Sequence, residues 1–403
     1  MVEVVARSNK SENKPKKTFK FKLYQSKKNK KLHKLINLSC SIYNHCIALH
    51  KRYYRLYKKH LNINQLQKHI TKIKSRTKKH WFILPSQSIQ QITERIENSY
   101  KRFYDYIKAK NKGLKPASVS PPSFKKYKKY KSFILKQSAC RIADDNTVII
   151  NKCKYKYFSS RPIDGKINTI AVKRDAIGDI YICVTTELDN LNSKSPMTGK
   201  SAGFDFGLKQ FLTASDDTIK VDDLIMPQTF LANIKQLKKE QQQLSRKIKG
   251  SNNRNRARLS VARRYKKISN QRNYNHHQIA NHLIKSYDVM HFETLNIRAM
   301  QMMWGRKISD YGFSDFMKIL ESKAKERSKT VNYIDRWYPS SKTCSNCLEI
   351  NKELSLRDRN WTCNSCDVHH DRDKNASINI HRVGASTLSL RNVRPELNQA
   401  ISA

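Results

Sequence analysis

The chain has 403 residues, of which 38% are hydrophobic and 28% are charged, so its composition excludes a wholly disordered protein. It carries 81 Lys and Arg against 32 Asp and Glu, which leaves a formal net charge of +49. A surplus of this size requires an anionic partner, and the phosphate backbone of nucleic acid is the natural one. A membrane partner is not expected, because no apolar run approaches the roughly 18–20 residues that cross a bilayer and the N-terminus shows no signal-peptide core.

The N-terminal third predicts a β-rich domain that a helical segment interrupts. Residues 1–17 are polar and basic, and we predict that they are disordered. Residues 18–24 alternate between apolar and polar side chains, as a half-buried strand does. Residues 35–56 carry apolar side chains at steps of three, four and seven, which is typical of an amphipathic helix.

A second amphipathic helix is predicted after Pro85, with Ser86 or Ser88 as its N-cap. The stretch 113–122, which contains glycine and prolines, is typical of a linker. Beyond it, three strands are predicted at residues 147–150, 167–173 and 180–186. Gly178 lies between the last two strands and is expected to form a hairpin turn with a positive φ.

The C-terminal half predicts an α/β domain. Short strands are predicted at 202–205, 211–214 and 289–293, with two long basic helices at 229–249 and 257–286 between the second and the third. The first of these helices is expected to bury one apolar face, formed by Ile234, Leu237, Leu244 and Ile248. Strands and helices mixed at this spacing are typical of an α/β core.

Four cysteines near the C-terminus form two C-x2-C pairs, Cys344 with Cys347 and Cys363 with Cys366. Each pair presents two thiolates from a tight turn, and two pairs complete the tetrahedral shell of a structural zinc ion. Redox-active pairs are the alternative, but neither pair precedes a helix in a βαβ context. Four thiolates leave no open position on the metal, so the predicted Zn²⁺ stabilises the fold and takes no part in catalysis.

Three acidic residues stand out because they occupy apolar or strand-like positions in a chain that is poor in acids. Asp205 lies in a predicted strand, Glu293 ends another, and Asp373 begins a predicted helix. Buried carboxylates require ion pairing or a metal, and three from separate segments can hold two divalent cations that hydrolyse a phosphodiester. The alternatives are that Asp371 and Asp373 are helix N-caps and that Glu293 pairs with an arginine.

Four stretches of the C-terminal half resemble, in the same order, the motifs of the TnpB (OrfB) family of transposon-encoded proteins, which is related to the type V CRISPR effectors. They are GFDFGLKQFLTAS at 203–215, FETLN at 292–296, DRWYPSSKTCSNC at 335–347 and WTCNSCDVHHDRDKNASINI at 361–380. The resemblance covers residues 199–382, and the N-terminal half matches the family in layout only.

The fold class that this resemblance implies is α/β plus β, an RNase H-like (RuvC) nuclease domain with an inserted zinc ribbon behind a wedge-type β-barrel. The implied parts are a basic N-terminus (1–17), the barrel (18–32 and 113–198), a helical recognition insertion (33–112), the nuclease domain (199–340 and 370–385), the zinc ribbon (341–369) and a C-terminal tail (386–403).

The resemblance also implies an activity, which is cleavage of double-stranded target DNA beside a short flanking motif, directed by a non-coding guide RNA. Asp205, Glu293 and Asp373 would be catalytic and hold two Mg²⁺ ions, with Asp371 and Asn375 as auxiliaries. Such a protein would act in the cytoplasm of a bacterium or archaeon at the nucleoid, as a monomer or a higher oligomer. The alternatives are a transposase that needs no guide and a cleavage-deficient DNA-binding regulator, which the presence of all three carboxylates disfavours.

Two glycines that the family carries after the cysteine pairs are replaced here by Leu348 and Asp367. Since glycine tolerates the left-handed backbone of such turns better than other residues do, we expect looser turns. No ligand is lost, so the zinc prediction is unchanged.

Two basic segments are predicted to contact nucleic acid. The first lies at the start of a helix and contains Arg254, Arg256, Arg258, Arg263 and Arg264. The second alternates rings with lysines, which suits a single strand, and contains Lys125, Lys126, Tyr127, Lys128, Lys129 and Tyr130. The alternatives are a solvated charged face for the first segment and rings buried in the β-domain for the second.

Overall fold

The computed structural model describes residues 15–136, 139–144, 146–188, 195–208, 210–355 and 358–393, with the backbone alone for residues 304, 306, 307 and 389–393. The chain divides into two compact units, residues 1–190 and 191–403, and each has its own hydrophobic core. Most of the predicted disordered N-terminus, residues 1–14, lies outside the described residues, and its last two residues belong to the first strand.

The strands of the first unit form two antiparallel sheets. The larger sheet has the order β1 (Lys16–Lys22), β7 (Ile180–Glu187), β6 (Lys166–Arg174) and β2 (Ser132–Lys136). The smaller sheet has the order β3 (Cys140–Asp144), β4 (Thr147–Ile150) and β5 (Cys153–Lys156). An isolated bridge between Leu23 and Tyr157 links them. The described strands thus form two linked sheets instead of one continuous sheet, and a closed barrel remains a prediction.

The turn between β6 and β7 confirms the predicted hairpin. Gly178 has φ +95°, a conformation that side chains rarely adopt. The Asp175 carboxylate accepts hydrogen bonds from the backbone N–H groups of Ile177 (3.0 Å) and Asp179 (2.8 Å). This local capping fixes the turn.

Three helices of the first unit are α1 (Asn29–Tyr57), α2 (Ile63–Arg76) and α3 (Ser86–Asn111). The predicted serine N-caps of α3 are wrong, because Pro85 precedes the helix and no side chain caps it. Ser86 is its first residue, and the Ser88 hydroxyl donates instead to the carbonyl of Ile134 on β2 at 2.7 Å.

Helix α2 was not predicted from the sequence, although its N-terminus carries a capping box of Asn62 and Gln65. The apolar faces of the helices pack in the same core as the sheets, which includes Leu35 of α1, Ile92 of α3 and Val184 of β7. The helical segment therefore shares its core with the strands on both sides of it in sequence.

The second unit contains a four-stranded sheet with the order β11 (Thr330–Ile334), β10 (Val289–Glu293), β8 (Ser201–Phe206) and β9 (Leu212–Ala214). Strands β8, β10 and β11 run parallel, and β9 is antiparallel to β8. Three of these strands confirm the prediction, and β11 was missed. A two-stranded sheet of β12 (Asn360–Thr362) and β13 (His369–Asp371) carries the second cysteine pair in its turn.

The helices of the second unit are α4 (Gln228–Ser245), α5 (Asn252–Ser286), α6 (Ile297–Trp304), α7 (Arg306–Tyr311), α8 (Phe313–Glu326) and α9 (Arg372–Val393). Helix α4 ends before Ile248, whose side chain is 81% exposed, so its predicted place on the buried face is wrong. Helix α9 continues through part of the predicted tail, and residues 394–403 lie outside the described part. None of the described helices has the length and apolarity that crossing a membrane requires.

A buried ion pair holds the segment that enters β8. The ammonium of Lys329 lies 2.5 Å from Oδ1 of Asp288 and donates to the carbonyl of Pro196 at 2.8 Å. The Asp288 carboxylate also accepts hydrogen bonds from the backbone N–H groups of Thr198 and Gly199. Burial is the largest single influence on the pKa of Asp288 and raises it. The Lys329 ammonium and the two N–H groups together outweigh burial and lower the pKa to about 2.

Candidate active site and zinc site

Asp205 and Glu293 lie at the carboxyl ends of the neighbouring strands β8 and β10. Phe204 of β8 pairs with Phe292 of the parallel strand β10, and the next residue in each strand is the acidic one. Parallel neighbouring strands lie about 4.8 Å apart, and successive side chains alternate between the two faces of a sheet. Both carboxylates therefore lie on the face opposite to the two buried phenylalanines.

Gly203 allows helix α9 to approach this face. A Cβ atom at Gly203 would lie 2.3 Å from the carbonyl oxygen of Ser377 and 2.4 Å from the backbone nitrogen of His381. No side chain fits at such distances, and Gly203 lies on the same face as Asp205, two residues earlier. Asp373 is one turn before Ser377 on α9, so the close approach brings it to the two strand carboxylates. Sequence reasoning missed Gly203, although a glycine inside a strand is a sign of close backbone approach.

The charges of Asp373 and Glu293 act on Asp205. The pKa of Asp205 is raised to about 8, first by burial and then by the negative charges of Asp373 and Glu293, while the Phe206 N–H and Arg372 offset part of this. Burial raises the pKa of Glu293 to about 7. Charge effects of this kind act over short distances, so the structure brings the three residues together.

The donor set fits divalent cations that prefer oxygen. Of all the His, Cys, Asp and Glu side chains in the described part, only the four cysteines place three or more ligand atoms within 4.8 Å of one another. The three carboxylates are therefore spaced more widely than the ligands of one ion. Carboxylates are typical ligands of Mg²⁺. Asp373 also has a cationic neighbour, since its Oδ2 lies 3.6 Å from Nη1 of Arg359.

The two expected auxiliaries have other contacts. Oδ1 of Asp371 accepts a hydrogen bond from the Lys374 N–H at 2.9 Å, which makes Asp371 the N-cap of α9. The side chain of Asn375 donates to the carbonyl of Thr343 and accepts from the N–H of Ser345, both at 2.8 Å. Asn375 thus ties α9 to the first cysteine pair, and its auxiliary role in catalysis stays a prediction.

The four predicted zinc ligands converge. The sulfur atoms of Cys344 and Cys366 lie 3.6 Å apart, and those of Cys347 and Cys363 lie 3.5 Å apart. A tetrahedral zinc ion with Zn–S bonds of about 2.3 Å requires sulfur–sulfur distances of about 3.8 Å, so the set fits one Zn²⁺. The imidazole Nε2 of His370 lies 3.0 Å from the Cys344 sulfur, outside the set of four. His370 therefore supports a ligand without being needed as one.

The turns after the cysteine pairs adopt the conformation that glycine favours. Leu348 has φ +69° and Asp367 has φ +56°. The N–H of Leu348 still donates to the backbone carbonyl of Cys344 at 3.0 Å, and the N–H of Asp367 donates to the backbone carbonyl of Cys363 at 2.9 Å. The expected loosening is therefore absent, and the cost is confined to left-handed strain.

The predicted arginine cluster divides into two groups. Arg254 donates to the carbonyls of Leu244 (2.9 Å) and Lys247 (2.7 Å), and Arg264 forms a 2.8 Å ion pair with Glu240. These two arginines hold α4 against α5, and their role in phosphate binding stays a prediction. The exposed members of the cluster are Arg256, Arg258 and Arg263.

The second predicted segment is also divided. Tyr130 is 3% exposed and belongs to the core of the first unit, as the buried alternative had it, whereas Tyr127 is 52% exposed. The ammonium of Lys125 lies 4.8 Å from the centre of the Tyr43 ring. The remaining exposed lysines of the segment are Lys126, Lys128 and Lys129.

Two family models match this chain, and most of the residues that they match belong to the second unit. The OrfB_IS605 model, described as "Probable transposase", matches residues 181–303, which include Asp205 and Glu293. A model described as "Cas12f1-like, TNB domain" matches residues 313–380, which include the four cysteines and Asp373.

Curated relatives support the same resemblance. A protein of Streptomyces pristinaespiralis is 32% identical over 242 residues, which cover 59% of this chain and 58% of that protein. A protein of Escherichia coli (strain K12) is 24% identical over 368 residues, which cover 86% of this chain and 87% of that protein. Both carry the name "Putative RNA-guided DNA endonuclease", and the second name adds "InsQ". The chain spans less than two thirds of the length of the first relative and most of the second.

Solved structures share the fold. A Cas12f1 in complex with sgRNA and target DNA matches with a TM-score of 0.55 and 12% identity over 92% of this chain and 99% of that one. The mini-RNA-guided endonuclease CRISPR-Cas_phi3 matches with a TM-score of 0.55 and 11% identity over 92% of both chains. At such low identity the likeness concerns the fold alone.

Proposed function

We propose that this chain, whose resemblance to the TnpB family is confirmed by the family models and the curated relatives, is an RNA-guided DNA endonuclease of a transposable element. The observation that carries the proposal is the convergence of Asp205, Glu293 and Asp373, three acids from separate segments of a strongly basic chain. The sequence stretches around them are those on which the family resemblance depends.

The proposed site is of the RuvC type within an RNase H-like domain, and we assign Asp205, Glu293 and Asp373 as the ligands of two Mg²⁺ ions. Two such ions, when bound, activate a water molecule and stabilise the leaving oxygen of a phosphodiester. The chain contributes the positions of the acids, because β8 and β10 hold two of them in register and α9 holds the third. The zinc ribbon is assigned a structural role.

Charge supports nucleic acid as the partner. A net charge of +49 and the exposed arginines of α5 favour a guide RNA and a target DNA, whose backbones neutralise them. In a guided nuclease the protein reads the heteroduplex by its shape, and base pairing reads the sequence. A wedge-type barrel in the first unit and a helical recognition segment belong to the same proposal.

The test is to express the chain together with its native flanking DNA and to sequence the RNA that co-purifies. We expect one defined RNA to co-purify. In the presence of Mg²⁺, the complex should cleave a DNA that is complementary to the guide sequence of this RNA. Absence of a defined RNA would contradict the proposal. Cleavage that proceeds equally without any RNA would favour an unguided transposase.

A further inference from the structure

Trp337 is exposed to an extent that is unusual for its side chain. It is 81% exposed, whereas Trp81 and Trp361 are buried. Tryptophan is highly buried on average and is enriched at interfaces, so an indole that is exposed to this extent is a candidate binding group. Trp337 belongs to the stretch DRWYPSSKTCSNC, to which the proposed function gives no role outside its cysteines.

The position of Trp337 places it at the edge of the sheet that carries the acids. Ile334, the last residue of β11, pairs in parallel register with Glu293, and the Thr294 hydroxyl donates to the Ile334 carbonyl at 2.8 Å. Trp337 follows three residues later, and three residues span at most about 11 Å. Its ring therefore lies within a few nucleotides' length of the candidate active site.

The turn that carries Trp337 is fixed by Asp335, and an arginine lies beside the indole ring. Oδ1 of Asp335 accepts a hydrogen bond from the backbone N–H of Trp337 at 2.7 Å, and the N–H of Tyr338 donates to the Asp335 carbonyl. The guanidinium of Arg336 lies 5.4 Å from the centre of the indole ring. An exposed ring beside a cation is the combination that binds a base and its phosphate together.

We propose that Trp337 is a nucleobase-stacking site that holds a single DNA strand next to the three carboxylates. This inference rests on the proposed function and adds a binding residue to it. A nuclease that acts on one strand must hold that strand with its bases unpaired, and an aromatic ring accepts any base because every base has a π-face. A protein partner is the other occupant that an exposed indole suits, but the adjacent Arg336 and the basic chain favour nucleic acid.

The test measures binding by the full chain in buffer without Mg²⁺, and without a chelator that would remove zinc. Two ligands are compared, a short oligothymidine and an abasic oligodeoxyribose phosphate of the same length, which have equal charge but differ in bases. We expect the wild-type chain to bind the oligothymidine more tightly than the abasic ligand. In Trp337→Leu the ratio of the two affinities should fall by at least about fivefold, which corresponds to the smallest effect of losing one stacked base. Oligothymidine should also quench an indole emission component that Trp337→Phe lacks.

Two control variants keep the result interpretable. Trp337→Tyr retains a ring and should retain most of the preference, whereas Tyr274→Leu removes an aromatic side chain on α5 that is 64% exposed and should leave it unchanged. An equal preference in the wild type and in Trp337→Leu would overturn the inference, and so would a wild type without preference. Since no cleavage is measured, neither result bears on the nuclease proposal, which depends on the carboxylates.

Discussion

Because Gly203 has no side chain, helix α9 can pack directly against the backbone of strand β8. A methyl group at this position would meet backbone atoms of Ser377 and His381, which cannot rotate away. We therefore expect Gly203→Ala to lower the free energy of unfolding by about 1–3 kcal/mol, as overpacking does. Because α9 carries Asp373, cleavage should fall by more than stability alone explains, which urea unfolding and a cleavage assay would measure side by side.

The matched control for this substitution is Gly199→Ala. Gly199 has φ +70° and no atom within 4 Å of its would-be Cβ, so it carries left-handed strain of roughly 1–2 kcal/mol without a collision. We expect this variant to lose stability but to keep its cleavage rate. Equal losses of cleavage in both variants would contradict the role given to Gly203.

At the scale of elements, the zinc ribbon is attached to the helix that carries the third acid. Asn375 bonds to Thr343 and Ser345, and the Asn379 amide donates to the carbonyls of Ser340 (2.9 Å) and Thr343 (2.6 Å). These contacts join the first cysteine pair to the first two turns of α9. The ribbon therefore helps to position Asp373.

We expect Asn375→Ala to weaken this attachment, because it removes the buried amide that bonds to Thr343 and leaves the half-buried Ser345 N–H without its acceptor, at a cost of about 1–3 kcal/mol. Zinc release to a chromogenic chelator should become faster, and the cleavage rate should fall with it. Ser386→Ala, at an exposed position of the same helix, is the control and should change neither. Faster zinc release with unchanged cleavage would show that the ribbon does not position Asp373.

The buried pair of Lys329 and Asp288 predicts a dependence of stability on pH. The pKa of Asp288 is lowered to about 2 in the fold, below the value of about 3.9 for an unfolded chain. Its contribution is therefore complete above about pH 4 and is lost as the pH falls towards 2. Lys329→Met should be less stable at pH 7, by up to about 3–5 kcal/mol, and should lose less further stability on acidification.

Urea unfolding at pH 7 and at pH 3 measures both effects. Lys325→Met, which removes an exposed lysine from α8, is the control and should follow the wild type at both pH values. If Lys329→Met follows the wild type in the same way, the pair does not hold the entry to β8.

Periodicity predicted those elements whose apolar pattern is long or strictly alternating. Strands β6, β7 and β10 agree with their predictions to within one residue at each end, and helix α1 begins six residues before its predicted start at residue 35. Burial alternates along β7, whereas β10 is a short apolar run that is buried at three consecutive residues. Short strands such as β3 and β5 were missed, because four or five residues with mixed polarity carry little periodic signal.

The candidate site was predictable in its chemistry and less so in its geometry. The spacing of the cysteines predicted their convergence, since the ligand pattern itself is local. Asp371 and Asp373 could not be separated by sequence, because either can cap a helix. In the structure the Asp371 carboxylate accepts the capping hydrogen bond from the Lys374 N–H, and the charge of Asp373 acts on Asp205. Likewise, the sequence could not separate Arg254 and Arg264 from Arg256. The difference is that Arg254 and Arg264 contact the Leu244 carbonyl and the Glu240 carboxylate of α4.

At the scale of the whole molecule, the surplus of charge predicts binding that weakens steeply with salt. We expect Arg256→Gln to reduce the slope of log affinity against log salt by about one, if this exposed arginine contacts one phosphate. Arg264→Gln, which loses the ion pair with Glu240, should leave the slope unchanged and lower the free energy of unfolding. The reverse pattern in salt titrations would contradict the division of the cluster.

We assign Asp205 to the metal site of a guided DNA nuclease. The most direct test compares the wild type with Asp205→Asn, each loaded with the co-purifying RNA, on matching DNA in Mg²⁺. We expect the variant to bind the DNA with the affinity of the wild type and not to cleave it. Cleavage by Asp205→Asn at the wild-type rate would contradict this assignment.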